Sequence, residues 1–273
     1  MDYFRPRQLD EALRDLAQRN PRVLSGGTDV FPSLQNQPLT GPVLDVTAIS
    51  ALRGISQTER GWRLGAGSTW TDVAQASLPP AFAALQQAAL EVGAVQVQNR
   101  GTIAGNLCNA SPAADGVPPL LVLDAEVELS SVTATRLLPL DQFILGNRKT
   151  ARRSDELLTA IHIPARSISG KSQFQKLGTR HSLVISIAMV AARLEMRGAV
   201  IADCAIAVGA CSPVARRLRR LEQALVGQHL SDVSIGSEAL DGLAPIDDVR
   251  ATAAYRTSAV AELVARALAG AAT

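Results

Sequence analysis

The apolar residues of this 273-residue chain change spacing repeatedly, without strict alternation of strand and helix. That pattern predicts an α+β fold and argues against a doubly wound parallel sheet. Leu9, Ala12, Leu13, Leu16 and Ala17 share one helical face, and Asn20-Pro21 ends that helix. Short apolar strands follow at Val23-Leu24 and at Val43 to Val46. Trp62, Leu64 and Ala66 alternate as in a strand, and Thr69 is placed to cap a helix through Ala76. Pro79 to Val92 reads as another helix, and strands are expected at Val127 to Leu129, Arg136 to Leu138 and Leu157 to Ile163.

Arg166 to Lys171 (RSISGK) is the best linker candidate. Beyond it, two apolar runs, Ser186 to Glu195 and Val200 to Gly209, surround Met196-Arg197-Gly198. They read as an antiparallel hairpin, although the first run also suits a helix. After Pro213 the pattern is helical, through Leu218, Leu221 and Leu225 to an Ala-rich tail from Ala259. The residue patterns thus break near 53 and at the 166–171 linker, giving units of about 1–53 and 54–166 and a remainder over 171–273 of different character.

Hydrophobic residues make up 47% and charged residues 19%, a globular mixture with too little charge for a disordered chain. A net charge of +2 and 3% aromatics give no argument for nucleic acid. No window reaches the roughly 18 apolar residues of a membrane span, so membrane insertion is not expected. The N-terminal MDYFRPRQLDEAL lacks a signal pattern, so a cytoplasmic location is expected. Cys108, Cys204 and Cys211 form no CxxC pair and cannot ligate a cluster by themselves.

Two loops carry the chemistry. Leu24 to Asp29 (LSGGTD) follows a strand, and Gly101 to Asn106 (GTIAGN) continues as LCNASPAADG. Small residues let the backbone turn tightly or approach a ligand closely. Successive N–H groups there form anion-binding concavities, and a pyrophosphate suits two that face each other. Thr28, Thr102, Asn106 and Ser111 add hydroxyl and amide partners, and Asp115 adds an acceptor for ribose or ribityl hydroxyls. No P-loop motif occurs, and Gly65 to Trp70 fails the dinucleotide fingerprint because Trp70 stands in place of its last glycine.

The string TIAGNLCNASPAADGVPPLLVLDA, Thr102 to Ala125, resembles the second flavin loop of the FAD-binding medium subunits of molybdenum hydroxylases, the xanthine dehydrogenase and carbon monoxide dehydrogenase relatives. VLSGGTDVFPSL, Val23 to Leu34, resembles their first flavin loop. Arg148-Lys149-Thr150, FQKLGTR (Phe174 to Arg180) and GACSP (Gly209 to Pro213) also match in order. The resemblance implies a two-part FAD-binding PCMH-type domain over 1–166, followed over 171–273 by a smaller α+β carbon monoxide dehydrogenase flavoprotein C-terminal-like domain of antiparallel sheet plus helices. It implies noncovalent FAD held by Val23, Leu24, Ser25, Gly26, Gly27, Thr28, Asp29 and Val30. The second set of contacts is Thr102, Ile103, Ala104, Gly105 and Asn106. Asp115 would match an acidic ligand, Leu158 a packing contact and Lys176 a basic group near the cofactor.

The resemblance further implies electron transfer to a terminal acceptor: NAD, oxygen or a quinone. The molybdenum cofactor would sit in a large partner and the iron–sulfur clusters in a small one. A self-contained flavin oxidase or reductase, or an assembly subunit that has lost FAD, are the alternatives. Ala104 departs from a common Gly, Val92 from an aromatic and Asn147 from a Tyr; no cysteine-rich insertion is present.

His162, His181 and His229 lack metal-ligand spacing, and Cys108 reads as a small residue beside the cofactor. Arg216, Arg217, Arg219 and Arg220 are a solvated helix face, or a contact for an acidic partner or the phosphate of NAD. Valine at Gly27 or Gly105 is expected to abolish FAD binding, and Asp115→Ala to weaken it less.

Overall fold

The computed structural model describes residues 2–181 and 183–273. The first lobe runs β1 (Tyr3–Phe4), α1 (Leu9–Arg19), β2 (Arg22–Leu24), α2 (Val30–Ser33) and β3 (Val43–Asp45). Its strands are parallel in the order β1-β3-β2. Ala12, Leu13 and Leu16 give α1 its buried face, and Asn20 ends it in the left-handed conformation at φ 45°. Parallel pairing places Arg5, Ser25 and Val46, each just beyond a strand, at the same edge.

The second lobe contains β4 (Ile55–Thr58), β5 (Gly61–Gly65), α3 (Trp70–Gln75), α4 (Ala83–Glu91), α5 (Val95–Gln98), α6 (Ile103–Asn109) and α7 (Val117–Val122). It continues through β6 (Glu126–Ser130), β7 (Thr135–Pro139), α8 (Leu140–Phe143), β8 (Ile144–Gly146), β9 (Lys149–Thr150) and β10 (Leu157–Pro164). An antiparallel sheet forms in the order β4-β5-β10-β6-β7. Thr69 caps α3 in a reciprocal box with Asp72, at 3.1 Å and 2.8 Å. Trp70 is buried there beneath Gly116, whose missing side chain leaves room for the indole. The 65–70 turn is thus a structural joint.

On this sheet Glu128 accepts hydrogen bonds from Thr159 at 2.6 Å and His162 at 2.9 Å. The His162 hydrogen bond is the main cause holding its carboxyl at about 2, against an ordinary 4.5. A depressed carboxylate stabilises the fold above its unfolded pKa and loses that contribution as pH falls through the folded one. Between pH 4.5 and about 2 the wild type should therefore lose stability that Glu128→Gln never had. Urea midpoints at pH 6 and pH 3 check this: the pH 6-to-3 drop should be smaller in the variant.

The last part comprises β11 (Lys171–Leu177), β12 (Ala188–Arg197), β13 (Val200–Gly209), β14 (Arg216–Arg217), α9 (Arg219–Leu225) and α10 (Ala253–Ala272). The strands form one antiparallel sheet in chain order. The run that also suited a helix is strand β12, buried without interruption from Ala188 to Leu194. Met189 and Ala191 pack into the core shared with the first domain, while Ala188, Val190, Ala192 and Leu194 pack against the C-terminal helices. A sheet covered on both faces needs no polar alternation, which explains the ambiguous pattern.

The expected linker is a bonded joint. Ser167 donates to Asp124 at 2.9 Å and Ser169 to Glu195 at 2.7 Å. Gly170, at φ +78°, passes so close to the Leu194 carbonyl that a side chain would collide with it. Nor do the four arginines form one helix face. Arg217 is buried in β14 on Asp124 and Glu222, whereas Arg219 and Arg220 lie exposed on α9. Arg216 is exposed on β14 as well. Among the described residues, no helix is long and apolar enough to cross a membrane.

Candidate functional site

A cleft of about 880 Å³ opens between the two glycine-containing segments and the loop that joins β11 to β12. Its size lies in the usual range of small-molecule sites, about 300–1,000 Å³. The first segment leaves β2 and turns at Gly27, φ +75°, before α2. Among the described residues, the backbone N–H groups of Gly26, Gly27, Thr28 and Asp29 donate to nothing in the chain. All four residues line the cleft. Unpaired donors in succession are what an anion-binding nest requires.

The second segment is a helix start, where the sequence suggested a loop. Thr102 caps α6, its hydroxyl accepting from the Gly105 N–H at 3.1 Å. Ile103 donates to Ser68 O at 3.0 Å and Asn106 to Thr102 O at 3.1 Å, which leaves the Ala104 N–H as the free donor of this turn. Asn106 contributes differently: its buried Oδ1 has no partner among the described residues, and the residue lines the cleft. A buried unpaired carbonyl is costly, so it marks a place where a ligand donor fits.

The two segments touch directly. Ser25 Oγ and Thr102 Oγ1 are 3.2 Å apart, while α3 braces the second segment through the Trp70 N–H, which donates to Gly101 O at 3.1 Å. A Cβ on Gly26 would fall inside the Arg100 carbonyl group, 2.7 Å from its carbon and 2.9 Å from Gly101 Cα. Gly26 is therefore the position where backbone meets backbone. A Cβ on Gly27 would instead meet the Phe31 ring at 2.7 Å, and one on Gly105 would meet the Thr102 capping oxygen at 2.8 Å. Substitution at Gly27 or Gly105 therefore also strains α2 or removes a helix cap, in addition to filling space in the cleft lining.

Asp115 lines the cleft, but it also joins the domains. Lys176 Nζ donates to its Oδ2 at 2.7 Å and Ser186 Oγ to its Oδ1 at 2.6 Å. Lys176 also donates to Glu91 O at 3.2 Å. Burial pushes the Asp115 carboxyl up, with Lys176 and Ser186 opposing it. Each oxygen keeps a lone pair for a ligand hydroxyl. Of the residues expected at the site, Val23, Val30, Thr102, Ala104, Gly105, Ser111 and Leu158 also line the cleft. Leu24 and Ile103 are core residues facing away from it, and Lys176 stands behind Asp115.

Sequence reasoning missed the far wall. Arg148, at φ +58°, donates to Asn109 Oδ1, and Asn109 Nδ2 donates to Asp29 Oδ1 at 2.8 Å. This chain of contacts ties the β8–β9 hairpin through α6 to the first segment. Arg148, Arg152 and the apolar trio Leu183, Val184 and Ile185 all line the cleft. Arg148-Lys149-Thr150 was visible in the sequence as a matching string; nothing in the local pattern signals the trio. Cys108 is exposed and lines the cleft.

Residues 1–166 match the family described as FAD binding domain in molybdopterin dehydrogenase, and residues 173–271 match the CO dehydrogenase flavoprotein C-terminal domain. The chain is 30% identical to the xanthine dehydrogenase FAD-binding subunit of Escherichia coli O157:H7, over 93% of this chain and 90% of that protein. It is 32% identical to the nicotinate dehydrogenase FAD-subunit of Eubacterium barkeri, over 84% and 81%. A solved carbon monoxide dehydrogenase from Hydrogenophaga pseudoflava, lacking the Mo-pyranopterin moiety of its molybdenum cofactor, superposes with a TM-score of 0.90 at 26% identity, covering 99% of this chain and 96% of that one. With the cleft, its unpaired donors and these matches together, the chain belongs to the family of FAD-binding flavoprotein subunits of molybdopterin dehydrogenases, an oxidoreductase family.

Proposed function

We propose that this chain binds FAD noncovalently and passes electrons from an iron–sulfur partner to a terminal acceptor. The observation that carries the reading is the row of unpaired N–H groups at Gly26, Gly27, Thr28 and Asp29 in one cleft lining with Asn106, whose buried Oδ1 is also unpaired. A diphosphate suits the first and a hydroxyl or amino donor the second, so the residues present fit the cofactor. When bound, FAD supplies chemistry that spans one- and two-electron transfer, while the protein binds and positions it.

The chain's own residues then have separable tasks. Gly26 to Asp29 hold the anionic centre through their backbone N–H groups, with no side chain at Gly26 or Gly27 and with the Asp29 carboxylate engaged by Asn109. Ser111, Asn106 and Asp115 orient hydroxyl-bearing parts through hydrogen bonds. Leu158 and the Leu183–Ile185 trio give apolar walls that exclude water. No residue here is assigned as a general base. Substrate oxidation belongs to a large molybdenum-cofactor partner, and a small iron–sulfur partner delivers the electrons. NAD, oxygen and a quinone are the candidate acceptors. The relative named a carbon monoxide dehydrogenase medium chain supports a place within a multi-subunit assembly.

Purification from the native source tests this. The expected product is a yellow complex containing both partners, whose flavin passes into the supernatant on acid precipitation. A colourless chain, flavin that stays with the pellet, or a free monomer that oxidises its own substrate would contradict the proposal.

A further inference from the structure

A second, smaller cavity of about 260 Å³ adjoins the cleft, sharing Ser25, Gly26, Val46, Gly67 and Thr102 with it. It sits at the carboxyl ends of the three parallel strands, where open parallel sheets place their ligands. Its floor is apolar, built from Leu24, Val46 and Ile49, all buried. Its rim is cationic, with Arg5, Arg53 and Arg100. The carboxylate in the lining, Asp45, is already taken: Oδ1 accepts the Thr47 N–H and hydroxyl at 2.8 Å and 2.6 Å, and Oδ2 accepts Tyr3 and lies 3.5 Å from Arg5. Arg5 is thereby neutralised. Among the described residues, the guanidinium groups of Arg53 and Arg100 have neither an ion pair nor a hydrogen bond.

Between the two cavities the Ser25–Thr102 hydroxyl pair and the close approach of Gly26 to the Arg100 backbone hold the two segments together. Arg53 and Arg100 do not line the larger cleft. Two unpaired guanidinium groups over a buried apolar floor match a ligand with an anionic end and an apolar body. Guanidinium favours phosphate because its planar fork can donate two hydrogen bonds at once. A cavity below the usual drug-sized range excludes a whole dinucleotide.

We infer that this cavity is a second ligand site, distinct from the FAD cleft, which takes a small organic phosphate of mononucleotide size. The phosphate would meet Arg53 and Arg100, and the body would cover Leu24, Val46 and Ile49. The inference does not depend on what the larger cleft holds.

Calorimetric titration of the full, flavin-loaded chain with AMP, inorganic phosphate and adenosine tests it, with flavin absorbance recorded in parallel. AMP should bind saturably at one site. Inorganic phosphate should bind more weakly because it cannot cover the floor, and adenosine should not bind. Each arginine removed should weaken AMP about tenfold, and Arg53→Gln/Arg100→Gln about a hundredfold, with flavin content unchanged. Absence of saturable AMP binding, or equal affinity in the double variant, would overturn the site. Phosphate binding as tightly as AMP would overturn the apolar half of the assignment. A chain without flavin would contradict the FAD reading alone, since the arginine variants still report on this cavity.

Discussion

Gly26→Val should yield protein without detectable flavin that melts about 2–12 °C below wild type. The side chain has nowhere to go: its first carbon would lie 2.7 Å from the Arg100 carbonyl carbon and 2.9 Å from Gly101 Cα, both backbone atoms. Backbone cannot rotate away as a side chain can, so the two segments must separate. Forced overpacking costs about 1–3 kcal/mol, and each kcal/mol moves the midpoint by roughly 2–4 °C in a domain approaching this size. Separation would break the Ser25–Thr102 contact and move the Gly26 to Asp29 donors away from Asn106. Gly27→Ala is the comparator. It adds strain at φ +75° but displaces only the half-exposed Phe31 ring, so flavin should be reduced rather than lost. Flavin-to-protein ratio and a thermal melt on both variants decide the matter. Full flavin occupancy in Gly26→Val would refute the backbone-contact account.

Lys176→Met should destabilise the chain by about 3–5 kcal/mol, the usual result of removing one partner of a buried ion pair. The two side chains are 8% and 11% exposed, so water reaching Asp115 from the cleft replaces little of the lost ammonium's stabilisation. Asp115→Ala is correspondingly harsher than its sequence position implies, because it strands Lys176 between Glu91 O and an empty site. Asp115→Asn/Lys176→Met should recover much of the loss, since neither partner is then left charged.

The pH dependence has a definite sign. Burial raises the Asp115 carboxyl and Lys176 opposes that, so removing Lys176 raises it further. A carboxyl raised in the fold costs stability as pH climbs from its unfolded value through its folded one. Lys176→Met should therefore lie nearer to wild type at pH 4 than at pH 7.5. Urea unfolding at both values measures it, and an equal deficit at each would remove Asp115 as the cause.

Much of this molecule is legible residue by residue. Leu9 to Ala17, the Thr69 cap and the strand ending at Pro164 declare themselves because the spacing of apolar residues and the chemistry of caps are local. LSGGTD is equally plain, since a glycine turn after a strand is written in consecutive residues. Pairing is what the sequence leaves undetermined. Nothing local distinguishes β12 from a helix, because each of its faces meets a different core and polar alternation is absent. Thr102 looks like part of a loop until its hydroxyl reaches the Gly105 N–H and starts a helix. Asp115 and Lys176, 61 positions apart, each look like a ligand to a cofactor; only the folded chain shows that they are also each other's partner. Arg53 and Arg100 carry no motif at all, and they share a cavity because the ends of three parallel strands meet there. Short-range chemistry thus determined the loops, caps and family of this chain, whereas the tertiary structure decided which charges are paired, which glycine cannot be replaced and where a second anion fits. The reason is that burial and distance belong to contacts between distant segments, and no single stretch of sequence contains them.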